Sequence, residues 1–200
     1  LVDSGADLLF YGMGEKSVIE FLRLVKQGAN IQNITNLPQT AFLTTPGKPY
    51  ATLGKWEELM LASHETCLAD KKSYAMNFRH IEEESNKQEA RKLLQATGEK
   101  IVVVNPPWPP MTEAEMDRFF DLPYTRLPHP RYKGKGAIPA WEMIKHSITL
   151  HRGCFGGCSF CTISAHQGKF IASRSEKSIL REVEKVTQME DFKGYLSDIG

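Results

Sequence analysis

Residues Ser147 to Cys161 read SITLHRGCFGGCSFC. The first four residues have the β-branched and apolar character of a short strand, Ser147 to Leu150. His151 and Arg152 end it, and three cysteines then follow within eight residues, at Cys154, Cys158 and Cys161, with glycines at Gly153, Gly156 and Gly157. Downstream, Ser175 is placed to cap a helix running to about Met189, with Ile179, Leu180, Val183 and Val186 on one face. Gly194 to Ile199 has the composition of a further strand. Strand, loop, helix and strand make one βαβ unit, which predicts a parallel pairing with the cysteine loop at the carboxyl end of its first strand, where ligand sites of parallel sheets collect.

Nearer the N-terminus, Asp7 to Tyr11 reads as a strand, and Lys16 to Gln27 as a helix carrying Val18, Ile19, Leu22 and Val25. The turn between them, Gly12-Met13-Gly14-Glu15, lacks the third glycine of a dinucleotide fingerprint and is read as a plain strand-to-helix turn. Thr40 to Thr45 predicts a short strand before the turn at Pro46-Gly47. From Lys55 to Ala96 the abundance of Glu and Lys between apolar positions predicts helix, closed by Gly98. Cys67 is expected there as a small buried thiol. Ile101 to Val104 predicts a β-branched strand, which the proline-rich run from Asn105 to Pro110 must end. Thr112 with Glu115 gives the capping-box pattern for a helix through Phe120. Asp121 to Ala140, with four prolines, is expected to be a linker.

The chain has 200 residues, 41% of them hydrophobic, with only four cysteines. That is enough for a buried core of ordinary size, and the clustered cysteines do not resemble the spread framework of a secreted disulfide protein. No apolar run approaches the roughly 18 to 20 residues of a membrane-spanning helix, and the N-terminus lacks the order of a signal peptide. A cytoplasmic protein without a membrane partner is expected. Leu1 opens the sequence inside an ordered region and Gly200 closes it just after a strand, so a piece of a longer protein is expected.

The formal net charge of +1 conceals a gradient. Between Arg126 and Ser175 stand eight Lys or Arg residues against one acid, Glu142, together with His129, His146, His151 and His166. The positive field is therefore local to the cysteines and favours an anionic ligand.

Three thiolates packed this closely call for a metal that offsets their repulsion, and the glycines let backbone wrap a bulky centre. Structural zinc takes four ligands, so a zinc-binding module would need His151 or His166 to complete three cysteines. An iron-sulfur cluster normally takes four cysteines as well, and three leave one iron open. An open metal position is what catalysis uses. A third reading makes the basic stretch an RNA-binding surface of an RNA-modifying enzyme, although Tyr132 and Trp141 are few for a stacking platform.

The C-x3-C-x2-C spacing with Phe160 before the last cysteine resembles the radical S-adenosylmethionine (SAM) superfamily. RGCFGGCSFC followed by His166-Gln167-Gly168, Arg174-Ser175-Glu176 and Ser197-Asp198-Ile199-Gly200 resembles, more narrowly, the YgiQ family of radical SAM proteins. Leu122-Pro123-Tyr124, His129-Pro130 and Ile138-Pro139-Ala140 fit the same pattern.

The resemblance implies that Cys154, Cys158 and Cys161 hold a 4Fe-4S cluster whose open iron chelates SAM, and that reductive cleavage yields a 5′-deoxyadenosyl radical. It implies Phe160 near the adenine, and Ser197, Asp198 and Gly200 near the amino group of SAM. Arg152, His166, Gln167 and Arg174 are further candidates for contact with SAM or substrate. The implied partners are SAM, a substrate the sequence does not name, and an electron-donor protein. The implied fold is α/β: residues 1–54 end a Rossmann-like, cobalamin-binding-like domain, 55–140 form a helical and proline-rich connection with one strand, and 141–200 begin a partial (β/α) barrel. No Asp-x-His-x-x-Gly pattern occurs, so cobalamin is not expected.

Overall fold

The computed structural model describes residues 1–52 and 56–200. In chain order the elements are β1 (Leu8–Phe10), α1 (Glu15–Lys26), β2 (Thr40–Thr44), β3 (Glu58–Met60), α2 (His64–Ala69), α3 (Lys71–Ser85), β4 (Lys92–Thr97), β5 (Lys100–Val104), α4 (Glu113–Phe120), α5 (Pro139–Ile144), β6 (Ser147–Ile148), β7 (His151–Arg152), α6 (Ile163–Gln167), β8 (Ala172–Ser173), α7 (Glu176–Thr187) and β9 (Asp198–Ile199). They divide into two compact units. Leu1–Pro109 with Cys154–Lys169 forms the first, and Pro110–Gly153 with Phe170–Gly200 forms the second.

The first unit is built on a five-stranded mixed sheet in the order β1-β2-β5-β4-β3. β1, β2, β5 and β4 are antiparallel to their neighbours, and only β3 runs parallel to β4. Its centre is the row Phe42, Val103 and Leu94, side by side on three neighbouring strands, with Leu8, Tyr50 and Ile101 packed against them. The α/β class is as expected, but the sheet departs from the Rossmann pattern: β2 returns antiparallel to β1, pairing Phe42 with Leu8, where a Rossmann unit returns parallel.

The expected helix from Lys55 to Ala96 is α2 and α3 flanked by strands β3 and β4; Lys55 itself, and the expected boundary between residues 54 and 55, lie outside the described residues. Leu, Gln, Ala and Lys in β4 are good helix formers, and pairing with the Val-rich β5 overrides that propensity. Gly98 therefore closes no helix. With φ of +55° it turns the chain between Thr97 and Lys100, which are paired in the β4–β5 hairpin. The stretch expected to hold one strand supplies β3, β4 and β5.

α1 has the expected span, but Val18, Ile19, Leu22 and Val25 are exposed. Its inward side is marked by buried Ser17, whose Oγ donates to the Pro38 carbonyl at 2.8 Å and accepts from Trp108 Nε1 at 3.0 Å, and by Phe21 edge-on to Phe10.

In the second unit the predicted βαβ unit is present, with β6 and β9 parallel through Ser147 with Asp198 and Ile148 with Ile199. Ser175 Oγ accepts from Ser178 N and caps α7. Thr112 and Glu115 form the capping box of α4. Val186, Ile148, Met116, Met111 and Ala172 are buried, while Leu180 of α7 is exposed. Among the described residues no helix is long and apolar enough to cross a membrane.

Candidate metal centre

The three loop cysteines lie between β7 and β8, an antiparallel pair that joins His151 to Ser173 and Arg152 to Ala172. Gly153 follows β7 with φ of +91°, a conformation only glycine adopts without strain. The loop is closed at its base by Cys154 N donating to the Gly168 carbonyl at 3.0 Å, and within it Cys161 N donates to the Cys158 carbonyl at 3.2 Å. Backbone hydrogen bonds thus tie Cys154 to the base of the loop and Cys161 to Cys158.

All four cysteines of the chain are free thiols. Cys158 is exposed, and Cys154 and Cys161 are half-buried. Cys154 and Cys158 approach one another across Gly156: a Cβ built there would lie 3.4 Å from Cys154 Sγ and 3.9 Å from Cys158 Sγ. Glycine therefore leaves space beside two sulfurs that any other residue would enter.

As a donor set, three soft thiols fit iron and zinc alike. The described residues nevertheless contain no group of three or more His, Cys, Asp or Glu side chains already arranged around a metal position. The loop brings two thiols to one glycine, and His166, the zinc alternative's candidate on this loop, is exposed on α6.

Phe155 and Phe160 are 83% and 90% exposed, so the loop presents two aromatic faces to solvent. In the second unit, Ser197, Asp198 and Gly200 sit together at the end of β9. Ser197 N donates to the His146 carbonyl at 3.3 Å, Gly200 N to the Ile148 carbonyl at 3.1 Å, and the Gly200 carbonyl accepts from Leu150 N at 3.0 Å. Their backbone is committed to the parallel pairing.

Arg174 does not serve as a solvent-facing contact residue. Its side chain is buried, with Nη1 donating to the Thr149 carbonyl at 2.8 Å, Nη2 to Ser178 Oγ at 2.9 Å and an ion pair to Glu182, which Arg126 also engages. Arg152 and Arg174 both lie over the Phe120 ring, at 5.0 and 4.6 Å from its centroid. Cys67 is half-buried rather than fully enclosed, and its sulfur accepts from the Asn77 amide at 3.0 Å.

Contacts that no motif announced hold the loop within the first unit. Lys169, just beyond Gly168, forms an ion pair with Glu82 of α3. The His166 carbonyl would lie 3.6 Å from a Cβ on Gly12, and Gln39 Nε2 only 2.6 Å from it. Both Gly12 and Gln39 are left-handed, with φ of +62° and +61°.

Residues 1–147 match the family described as Radical SAM N-terminal. The chain is 58% identical to a UPF0313 protein of Bacteroides thetaiotaomicron and to one of Porphyromonas gingivalis, covering 100% of this chain and 33% and 31% of those proteins. It is 44% identical to a UPF0313 protein of Methanocella arvoryzae, over 100% of this chain and 32% of that one. The chain thus spans about a third of the length of these relatives. No solved structure matches it.

Proposed function

Because the chain belongs to the Radical SAM N-terminal family, we propose that its three-cysteine loop is the ligand loop of a 4Fe-4S cluster in a cytoplasmic radical SAM enzyme. The observation that carries the reading is the loop itself: three free thiols at C-x3-C-x2-C spacing, with glycine at the position that faces two of the sulfurs. Cys154, Cys158 and Cys161 are the iron ligands, and the fourth iron has no protein ligand. The chemistry such a group supplies when bound is one-electron reductive cleavage of SAM to a 5′-deoxyadenosyl radical.

The chain's own residues divide the remaining work. Phe160, already solvent-facing, offers a flat apolar surface to the adenine. Ser197, Asp198 and Gly200, held in place by their backbone pairing to β6, receive the amino group of SAM. β6, α7 and β9 are the first βαβ unit of the partial barrel, preceded by the connecting region of residues 55–140 and by residues 1–54 as the end of the N-terminal domain. The substrate and the electron-donor protein are met by parts of the longer protein.

Anaerobic reconstitution of the full-length protein tests this. Wild type is expected to be brown and to bind about four irons and four sulfides per chain, and each of Cys154→Ala, Cys158→Ala and Cys161→Ala to lose most of that iron. A colourless protein with one tightly held zinc, or alanine variants with full iron content, would overturn the assignment.

A further inference from the structure

We infer that Gly12, Gln39 and Glu82 form a seat on the N-terminal sheet unit that positions the three-cysteine loop. The loop's residues 154–169 group with Leu1–Pro109 in one compact unit, although the strands flanking the loop belong to the other. Something in the first unit must therefore hold it, and two anchors are present.

The first is the pairing of Lys169 with Glu82. Lys169 is only 16% exposed, so its ammonium is drawn off solvent onto α3 directly after the hydrogen bond that closes the loop at Gly168. The second is the floor under α6. Gly12 has no side chain where the Gln39 amide and the His166 carbonyl approach, and a Cβ there would overlap Gln39 Nε2 at 2.6 Å.

Gln39 is itself held in a conformation rare for a residue with a side chain. Its N donates to the Pro106 carbonyl at 2.7 Å and its carbonyl accepts from Tyr11 N at 3.2 Å, so both backbone groups are fixed from neighbouring segments. A left-handed residue with a side chain is strained and persists where its surroundings determine it. Here it turns the Gln39 side chain toward Gly12, on which α6 rests. The seat therefore couples the geometry of the N-terminal unit to the spacing of the thiols; these residues position the ligands and touch no reacting atom.

The functional half of the inference rests on the cluster reading, so its test has a part that needs no metal. Hydrogen exchange of peptides covering 154–169 is measured on the metal-free full-length protein for wild type, Glu82→Lys, Lys169→Glu and the double variant with the charges exchanged. Either single variant should raise exchange in that segment by roughly three- to tenfold, the scale of a partly buried ion pair, without altering peptides of β4 and β5. The exchanged pair should restore protection. After anaerobic reconstitution, the singles should show a changed EPR spectrum of the reduced cluster and the exchanged pair the wild-type one.

Unchanged exchange in the singles, or a rise spread evenly over the chain, would overturn the seat. Altered exchange with unaltered EPR would overturn the coupling to the ligands. Full iron content in the cysteine variants would sink the cluster reading instead, with the seat still decided by exchange.

Discussion

Gly156 packs against the sulfur of Cys154: a Cβ built on the glycine would lie 3.4 Å from Cys154 Sγ and 3.9 Å from Cys158 Sγ. The first distance is ordinary van der Waals contact, so Gly156→Ala should be tolerated, whereas the branched side chain of Gly156→Val must push into the space beside both sulfurs. Iron content after reconstitution should be close to wild type for alanine and well below it for valine. Because the loop contributes little to the core, the melting temperatures of the two variants should agree.

Arg174 should prove a stability residue. Glu182 accepts from both Arg174 and Arg126, and the Arg174 guanidinium has no exposed surface. Removing one partner of a buried pair leaves the other charge under-compensated, so Arg174→Ala should cost roughly 3 kcal/mol in denaturant unfolding. An unchanged midpoint, together with weakened SAM binding, would restore it to the list of contact residues.

Acid stability should depend on Glu84. Burial pushes this carboxyl up, but hydrogen bonds from Arg91 N, Arg91 Nε and Lys87 outweigh burial and hold it at about 2 against an ordinary 4.5. A depressed folded value means stability fully present above pH 4.5 and lost as the pH falls toward 2. Glu84→Gln should therefore cost roughly 2–3 kcal/mol at neutral pH and almost nothing near pH 2, flattening the acid limb of the stability curve.

Leu94 occupies the centre of the first unit's core, 5% exposed beside Phe42 and Val103. Leu94→Ala should destabilise by about 2–4 kcal/mol. Leu22→Ala, on the exposed face of α1, should cost little in this chain. Two losses of similar size would mean that Leu22 is buried in the folded protein.

What the sequence revealed were the features that depend on residues close together. The capping box of Thr112 and Glu115, the Ser175 cap and the β-branched run of β5 each carry their cause within a few residues, and so does the C-x3-C-x2-C loop. β4 was illegible because its residues favour helix alone and become a strand only through partners in β5 and β3. The spacing of Val18, Ile19, Leu22 and Val25 announced α1 correctly, but their exposure was not legible, because periodicity marks an apolar side without saying that anything covers it. The Glu82–Lys169 anchor joins residues 87 positions apart, and the Gln39 conformation follows from hydrogen bonds with Pro106 and Tyr11, so no local pattern could announce either.

If three cysteines hold four irons, one iron stays open to SAM. Anaerobic titration of the reduced, reconstituted full-length protein with SAM, followed by EPR, decides whether that position exists. A saturable change in the cluster signal on adding SAM is expected, because the ligand would take the position that no thiol fills. A spectrum that SAM leaves unchanged would rule out an open iron.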